Sequence, residues 1–220
     1  IDVFDASYEP LAITGDFLDP DLPDGFAPFN VEFIDGVLFV TYAKQDDEGE
    51  DDVRGAGNGY VDIYDLDGVF ISRLISANEL NSPWGLTMTP ASFTAAPRRL
   101  LVGNFGDGLI NVYSVDLSSA TGGTGASAVF EGALLGPDGE NIAIDGLWAL
   151  KFAPSTDAGF ATDQLYFTAG PDDEEHGVFG GLQTSTLSAS AGTGGTGGTD
   201  GTGGSPPAAG SGGSGPPLGY

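Results

Sequence analysis

The sequence has no cysteine, one histidine (His176) and two lysines (Lys44 and Lys151). Without cysteine there is no disulfide framework, no thiolate zinc site and no thiol nucleophile. One histidine excludes a paired-His zinc motif, and it excludes any Ser-His-Asp arrangement not built on His176. Positive charge is scarce: Lys+Arg total 6 against 32 Asp+Glu, a net charge of −26 over 220 residues. Such a chain lacks the basic stripe that displaces counterions from phosphate, so no nucleic-acid partner is expected. The same scarcity argues against docking on an anionic leaflet. There is no apolar run of about 18 residues, so no membrane-spanning segment is expected. No signal peptide is visible. The chain starts at Ile1 without a methionine, and is expected to be a piece of a longer chain. Apolar residues make up 40%, which is enough for a core.

Two regions follow from composition. Residues 188–220 contain 13 Gly, 4 Pro and a single charge, Asp200. Repeats such as Gly194-Gly195-Thr196 cannot bury apolar surface to offset backbone entropy, so a disordered Gly/Ser/Thr/Pro-rich linker is expected there. Residues 1–187 alternate in short runs of Val, Ile, Phe and Tyr between Gly, Pro, Asp and Asn, which is the pattern of strands and turns. No stretch sustains helical periodicity; at most, 91–96 would form one helical turn.

The strands repeat in a fixed order. Pro28-Phe29-Asn30-Val31, Pro83-Trp84-Gly85-Leu86 and Gly146-Leu147-Trp148-Ala149 each place an aromatic at a turn entering a strand. A second strand follows each: Val37–Tyr42, Leu100–Asn104 and Gln164–Thr168. A third strand recurs as Ile1-Asp2-Val3-Phe4-Asp5, Val61-Asp62-Ile63-Tyr64-Asp65 and Ile110-Asn111-Val112-Tyr113-Ser114. Its shared form is apolar, acid or Asn, apolar, aromatic, polar. A fourth strand comes at Pro10–Ile13, Val69–Leu74 and Ala128–Leu134. Four antiparallel strands per repeat make a propeller blade. The expected fold is therefore an all-β β-propeller with whole blades over 28–75 and 83–135. A third blade supplies its first two strands and Val178-Phe179. About three and a half blades are present, a fragment of a ring that closes with about 4 to 8. An open β-sandwich is the competing architecture.

Five motifs, in order, resemble a known family: Tyr42-Ala43-Lys44-Gln45-Asp46, Gly57-Asn58-Gly59-Tyr60-Val61-Asp62, Leu101-Val102-Gly103-Asn104-Phe105-Gly106-Asp107-Gly108, Ile144-Asp145-Gly146-Leu147-Trp148 and Phe167-Thr168-Ala169-Gly170-Pro171. The family consists of uncharacterised secreted bacterial proteins, some with a C-terminal PEP-CTERM sorting signal, and it is similar to NHL-type six-bladed propellers. The resemblance implies an exported propeller, six blades in the full ring, and no particular reaction. The chain departs from the family in lacking a Pro-Glu-Pro motif, hydrophobic helix or basic tail.

The strand order puts the loops between second and third strands on one face, beside the aromatic turns at Phe29, Trp84 and Trp148. Two of those loops are acidic: Asp46-Asp47-Glu48-Gly49-Glu50-Asp51-Asp52 and Asp172-Asp173-Glu174-Glu175-His176. Clustered hard oxygens suit Ca²⁺, which takes about 6–8 oxygen ligands. The Ca²⁺ candidates are Asp46, Asp47, Asp51, Asp52, Asp172, Asp173 and Glu174, set against the plainer reading of solvated loops. Asn30, Trp84, Asn104, Asp145 and Trp148 are the candidates to line a ligand site at the mouth of the central channel. Lys44 and Arg54 are expected to pair with the acidic loop, and His176 has no identified catalytic partner. The expected function is a monomeric binding or scaffold module, exported to the cell surface or matrix, taking a cell-surface or small-molecule ligand. The alternative is a Ca²⁺-dependent, lactonase-like hydrolase with its site at the channel mouth. A quinone-cofactor dehydrogenase would need basic residues that this chain largely lacks.

Overall fold

A computed structural model describes residues 1–93, 97–120, 125–157, 159–183 and 188–189. Twelve strands make three antiparallel sheets, with no α-helix among the described residues. The first sheet pairs β1 (Phe26–Ile34), β2 (Val37–Lys44), β3 (Gly59–Tyr64) and β4 (Phe70–Ser76) in sequence order. The second pairs β5 (Pro83–Met88), β6 (Arg99–Asn104), β7 (Ile110–Asp116) and β8 (Ser127–Leu135), with the two-residue β12 (Ser188–Ala189) on the outer edge of β8. The third pairs β9 (Leu147–Phe152), β10 (Gln164–Ala169) and β11 (Val178–Gln183). The sheets do not close into a barrel.

Tight turns set the register. Between β1 and β2, Asp35 and Gly36 both take positive φ (50° and 92°), the geometry of a two-residue hairpin. Asp65 folds the β3–β4 turn by accepting hydrogen bonds from the amides of Asp67 and Val69, both at 2.9 Å.

Period-2 alternation sends successive side chains to opposite faces, and in the first two sheets both faces are apolar. Phe39, Val61 and Ile63 of the first sheet pack against Leu86, Leu100 and Val102 of the second. Val40, Tyr42 and Tyr64, on the opposite face, pack under Phe17, Ile13 and Leu22 of the N-terminal segment. Leu101, Ile110 and Val112 of the second sheet meet Leu147, Leu150 and Leu165 of the third. Each buried Leu or Ile contributes about 1.5–3 kcal/mol, so the sheets cohere chiefly through side chains, with no strand ladder shared between them among the described residues. The third sheet has one covered face; on the other, Tyr166 stacks on Phe179 at 5.8 Å and Phe179 is 62% exposed.

The first strands of the three sheets lie side by side, with β5 packed against both β1 and β9. Gly85 makes the second contact possible: a Cβ there would fall 2.7 Å from the Trp148 carbonyl oxygen. Lys151 on β9 ion-pairs with Glu32 on β1 across the space between the sheets.

The N-terminal stretch differs from expectation. Residues 1–13 form one bridge, Phe4 to Pro10, with Leu11 donating to the Val3 carbonyl at 2.8 Å, and no extended strands. Val3 and Ile13 reach the core beside Tyr42 and Tyr64, but Ile1, Phe4, Tyr8 and Leu11 are exposed, and a two-stranded hairpin with so little buried surface is marginal in water. Residues 91–93 lie in a turn; 94–96 fall outside the described residues. Ser188 and Ala189 extend the second sheet, and 190–220 of the expected linker also fall outside the described residues.

Candidate functional site

A cavity of about 490 Å³ opens where the three first strands begin. Its walls are Phe29, Trp84 and Trp148 from the starts of β1, β5 and β9, then Glu50, Asp51, Asp52 and Arg54 from the β2–β3 loop. Phe105 from the β6–β7 loop and Asp173 and Glu174 from the β10–β11 loop complete it. Equivalent positions of all three repeats thus converge on one space.

The aromatic part is built edge to face. Phe29 and Trp84 lie 4.6 Å apart at 72°, and Phe29 and Phe105 lie 6.2 Å apart at 74°. These T-shaped contacts suit the ring quadrupoles. The Arg54 guanidinium sits 4.8 Å over the centroid of Phe105, a cation–π contact rather than the carboxylate pair expected from the sequence. Trp148 donates its indole N–H to Glu174 Oε1 at 3.2 Å, fixing a ring and a carboxylate side by side.

The acidic loops are held by their own backbones. Asp46 accepts from the Glu50 amide at 2.9 Å, and that backbone donor holds its carboxyl below the ordinary carboxylate value. Asp46 therefore shapes the turn, and Asp47 is exposed at its tip. Asp51 and Asp52 lie on the returning limb, where Gln45 bridges to Asp52. One oxygen of Asp52, Oδ2, is shielded from solvent and has no hydrogen-bond partner among the described residues. In the other loop Asp172, Asp173 and Glu174 all take left-handed φ, at 57°, 51° and 65°. Such a run costs roughly 1–2 kcal/mol per residue. It is held by the Asp172 amide donating to Asp145 Oδ2 at 3.1 Å and the Glu174 amide donating to the Gly170 carbonyl at 3.2 Å. His176 lies 3.8 Å from Asp172, both well exposed.

Of the expected ligand-lining residues, Trp84 and Trp148 face the cavity; Asn30, Asn104 and Asp145 do not line it. Asn30 donates through Nδ2 to the Trp84 carbonyl at 2.8 Å, joining β1 to β5. Asn104 is fully buried; it donates to the Glu79 carbonyl at 2.8 Å and accepts from the Asn81 amide at 3.2 Å. Asp145 pins the acidic turn. Of the Ca²⁺ candidates, Asp51, Asp52, Asp173 and Glu174 line the cavity, while Asp46, Asp47 and Asp172 do not. Among the described residues no group of three or more His, Asp or Glu side chains is placed to hold a metal ion.

Sequence reasoning did not select Phe105, Glu50 or Asn81. Phe105 could have been found as a third-loop aromatic at the same end of its repeat as the acids. Asn81 knits three loops: it accepts from the Gly55 amide at 2.6 Å, donates to Asp107 at 3.1 Å, and its carbonyl accepts from the Gly106 amide at 3.0 Å.

No family model matches the chain, and no solved structure matches it. Three proteins of Acanthamoeba polyphaga mimivirus are similar to it. The uncharacterized protein R648 is 34% identical over 187 residues, 82% of this chain and 42% of that protein. The uncharacterized protein L690 is 33% identical over 189 residues, 83% of this chain and 46% of that protein. The uncharacterized protein R640 is 34% identical over 139 residues, 60% and 26% of the two chains. The chain thus spans less than half the length of these relatives. The secreted bacterial family that the five motifs resemble is overturned by these matches: the similarity points to uncharacterised viral proteins instead.

Proposed function

We propose that the three sheets are blades of a β-propeller and that the chain works as a non-catalytic binding module. Its ligand would enter the cavity at the mouth between β1, β5 and β9. One observation carries this reading: each repeat contributes its first-strand aromatic and its second loop to the same cavity. The propeller part is supported by the sequence-order pairing of strands and the adjacency of the three first strands. The exposed face of the third sheet, with Phe160, Tyr166 and Phe179 in mutual ring contact, fits a further sheet packing there. Export or surface display remains part of the proposal, supported by the acidic composition and the linker-like 190–220 segment.

The hydrolase alternative has less support. Asn30, Asn104 and Asp145, which would have formed its channel-mouth site, use their side chains to hold backbone groups.

An immobilised-chain screen against sugar, amine and peptide libraries tests the binding reading, alongside Trp84→Ala and Trp148→Ala. A ligand retained by the parent chain and lost by both variants is the expected result. Turnover of lactone or phosphotriester substrates that depends on Ca²⁺ would overturn it.

A further inference from the structure

Resting on that binding reading, we propose that the cavity takes an organic cation: an ammonium or guanidinium group, carried by a small molecule or by a Lys or Arg side chain of a peptide. Four aromatic rings and five carboxylates line the same space as a single guanidinium. An anionic ligand would be repelled. A neutral ligand would desolvate carboxylates without compensating their charge. A hard divalent ion needs several oxygens converging on one point, and the described side chains do not converge so. A diffuse cation needs only ring faces and nearby acids, and rings attract cations through their quadrupole.

A further observation points the same way. The chain already places a guanidinium of its own, Arg54, 4.8 Å over the Phe105 ring of this cavity. The wall is thus shaped to take a planar cation, and Arg54 acts as an internal competitor at that edge. The volume, about 490 Å³, suits a ligand of a dozen or so heavy atoms.

The test uses a built-in reporter. The chain has two tryptophans, Trp84 and Trp148, and both line the cavity. Their emission is followed at constant ionic strength while choline, agmatine or a short Arg- and Lys-containing peptide is added. Sodium chloride, calcium chloride and glucose serve as comparison titrants. A saturable change with a small cation or with the basic peptide is expected, and which of the two binds more tightly identifies the source. Glu174→Gln and Asp52→Asn should each weaken binding about tenfold, or ~1.4 kcal/mol. Arg54→Ala should tighten it severalfold by removing the competitor, a gain that a damaged fold cannot mimic. Thermal melts of each variant show that the fold is retained. No saturable change with any organic cation overturns the proposal, as does an equal response to calcium. Saturable binding of glucose alone overturns it too, while leaving the binding reading intact. Catalytic turnover would remove the binding reading instead.

Discussion

Asp62 is an ionisable group placed where water does not reach. It is fully buried on β3, where neither carboxylate oxygen makes a well-formed hydrogen bond among the described residues and the Asp19 carboxyl and Tyr64 hydroxyl are its polar neighbours. Arg73 approaches it at 3.6 Å but is held more closely by Asp19. Burial, reinforced by the negative charge of Asp19 and only partly offset by Arg73, pushes the Asp62 pKa up to about 7. The folded protein therefore holds a proton that the unfolded chain releases near pH 4. Stability from this group is fully present below about pH 4 and is lost as pH rises to about 7, on the order of 4 kcal/mol in all. Asp62→Asn should flatten that limb, so the variant gains on the parent as pH rises from 4 to 8 in parallel urea titrations. An unchanged difference between the two would show that Asp62 is ionised throughout. Nearby, the Tyr42 and Tyr64 hydroxyls share a hydrogen bond of 2.6 Å, and burial pushes Tyr42 up to about 12. At Asn104 the prediction is simpler. Asn104→Leu leaves the Glu79 carbonyl and the Asn81 amide each short of a partner, for a loss of about 1–3 kcal/mol, read as a lower urea midpoint. The Asn111 donor to the same Glu79 carbonyl, at 2.9 Å, keeps that loss below the sum of two orphaned groups.

Among the elements, β5 is the one confined on both sides. It lies between β1 and β9, and Gly85 faces the β9 backbone with no room for a Cβ. Strand propensity favours Val over Gly in isolation. Gly85→Val should nonetheless destabilise by about 1–3 kcal/mol, because the added methyls push β9 away; chemical denaturation checks this. A neutral or stabilising result would mean that β5 and β9 separate freely. The β10–β11 loop carries a related constraint at Gly170, where a Cβ would lie 2.7 Å from the Trp148 ring. Gly170→Ala should move that ring off Glu174 and shift the tryptophan emission with little change in the far-ultraviolet β signature.

For the whole molecule, charge is the dominant fact. At a net −26 few cations offset the acids, and residues of the two acidic loops line one cavity. Screening should stabilise the protein: raising NaCl from about 50 mM to about 500 mM shortens the Debye length severalfold. The melting temperature is expected to climb by several degrees, as calorimetry would show. A flat response would mean that the acids are spaced widely enough not to repel. The same charge should keep the chain monomeric in dilute salt, which sedimentation would reveal, while the exposed Phe160 and Phe179 favour association once charge is screened.

The alternation of apolar residues and the turn residues between them determined the strands, because side chains on opposite faces of a pleat must suit different surroundings. The repeated third-strand pattern even marked Asp62 and Asn111, the same position in two repeats, and both are buried in the structure. That the acids and aromatics share one end was legible from strand order. What each polar side chain does was decided only by tertiary contacts. Asn30 and Trp84 are distant in sequence, and nothing local says that one donates to the other's carbonyl rather than to a ligand. Arg54 stands beside an acidic run yet its guanidinium rests over Phe105, a ring carried by another sheet. Partner choice depends on distances across sheets, and those are set by packing rather than by spacing along the chain.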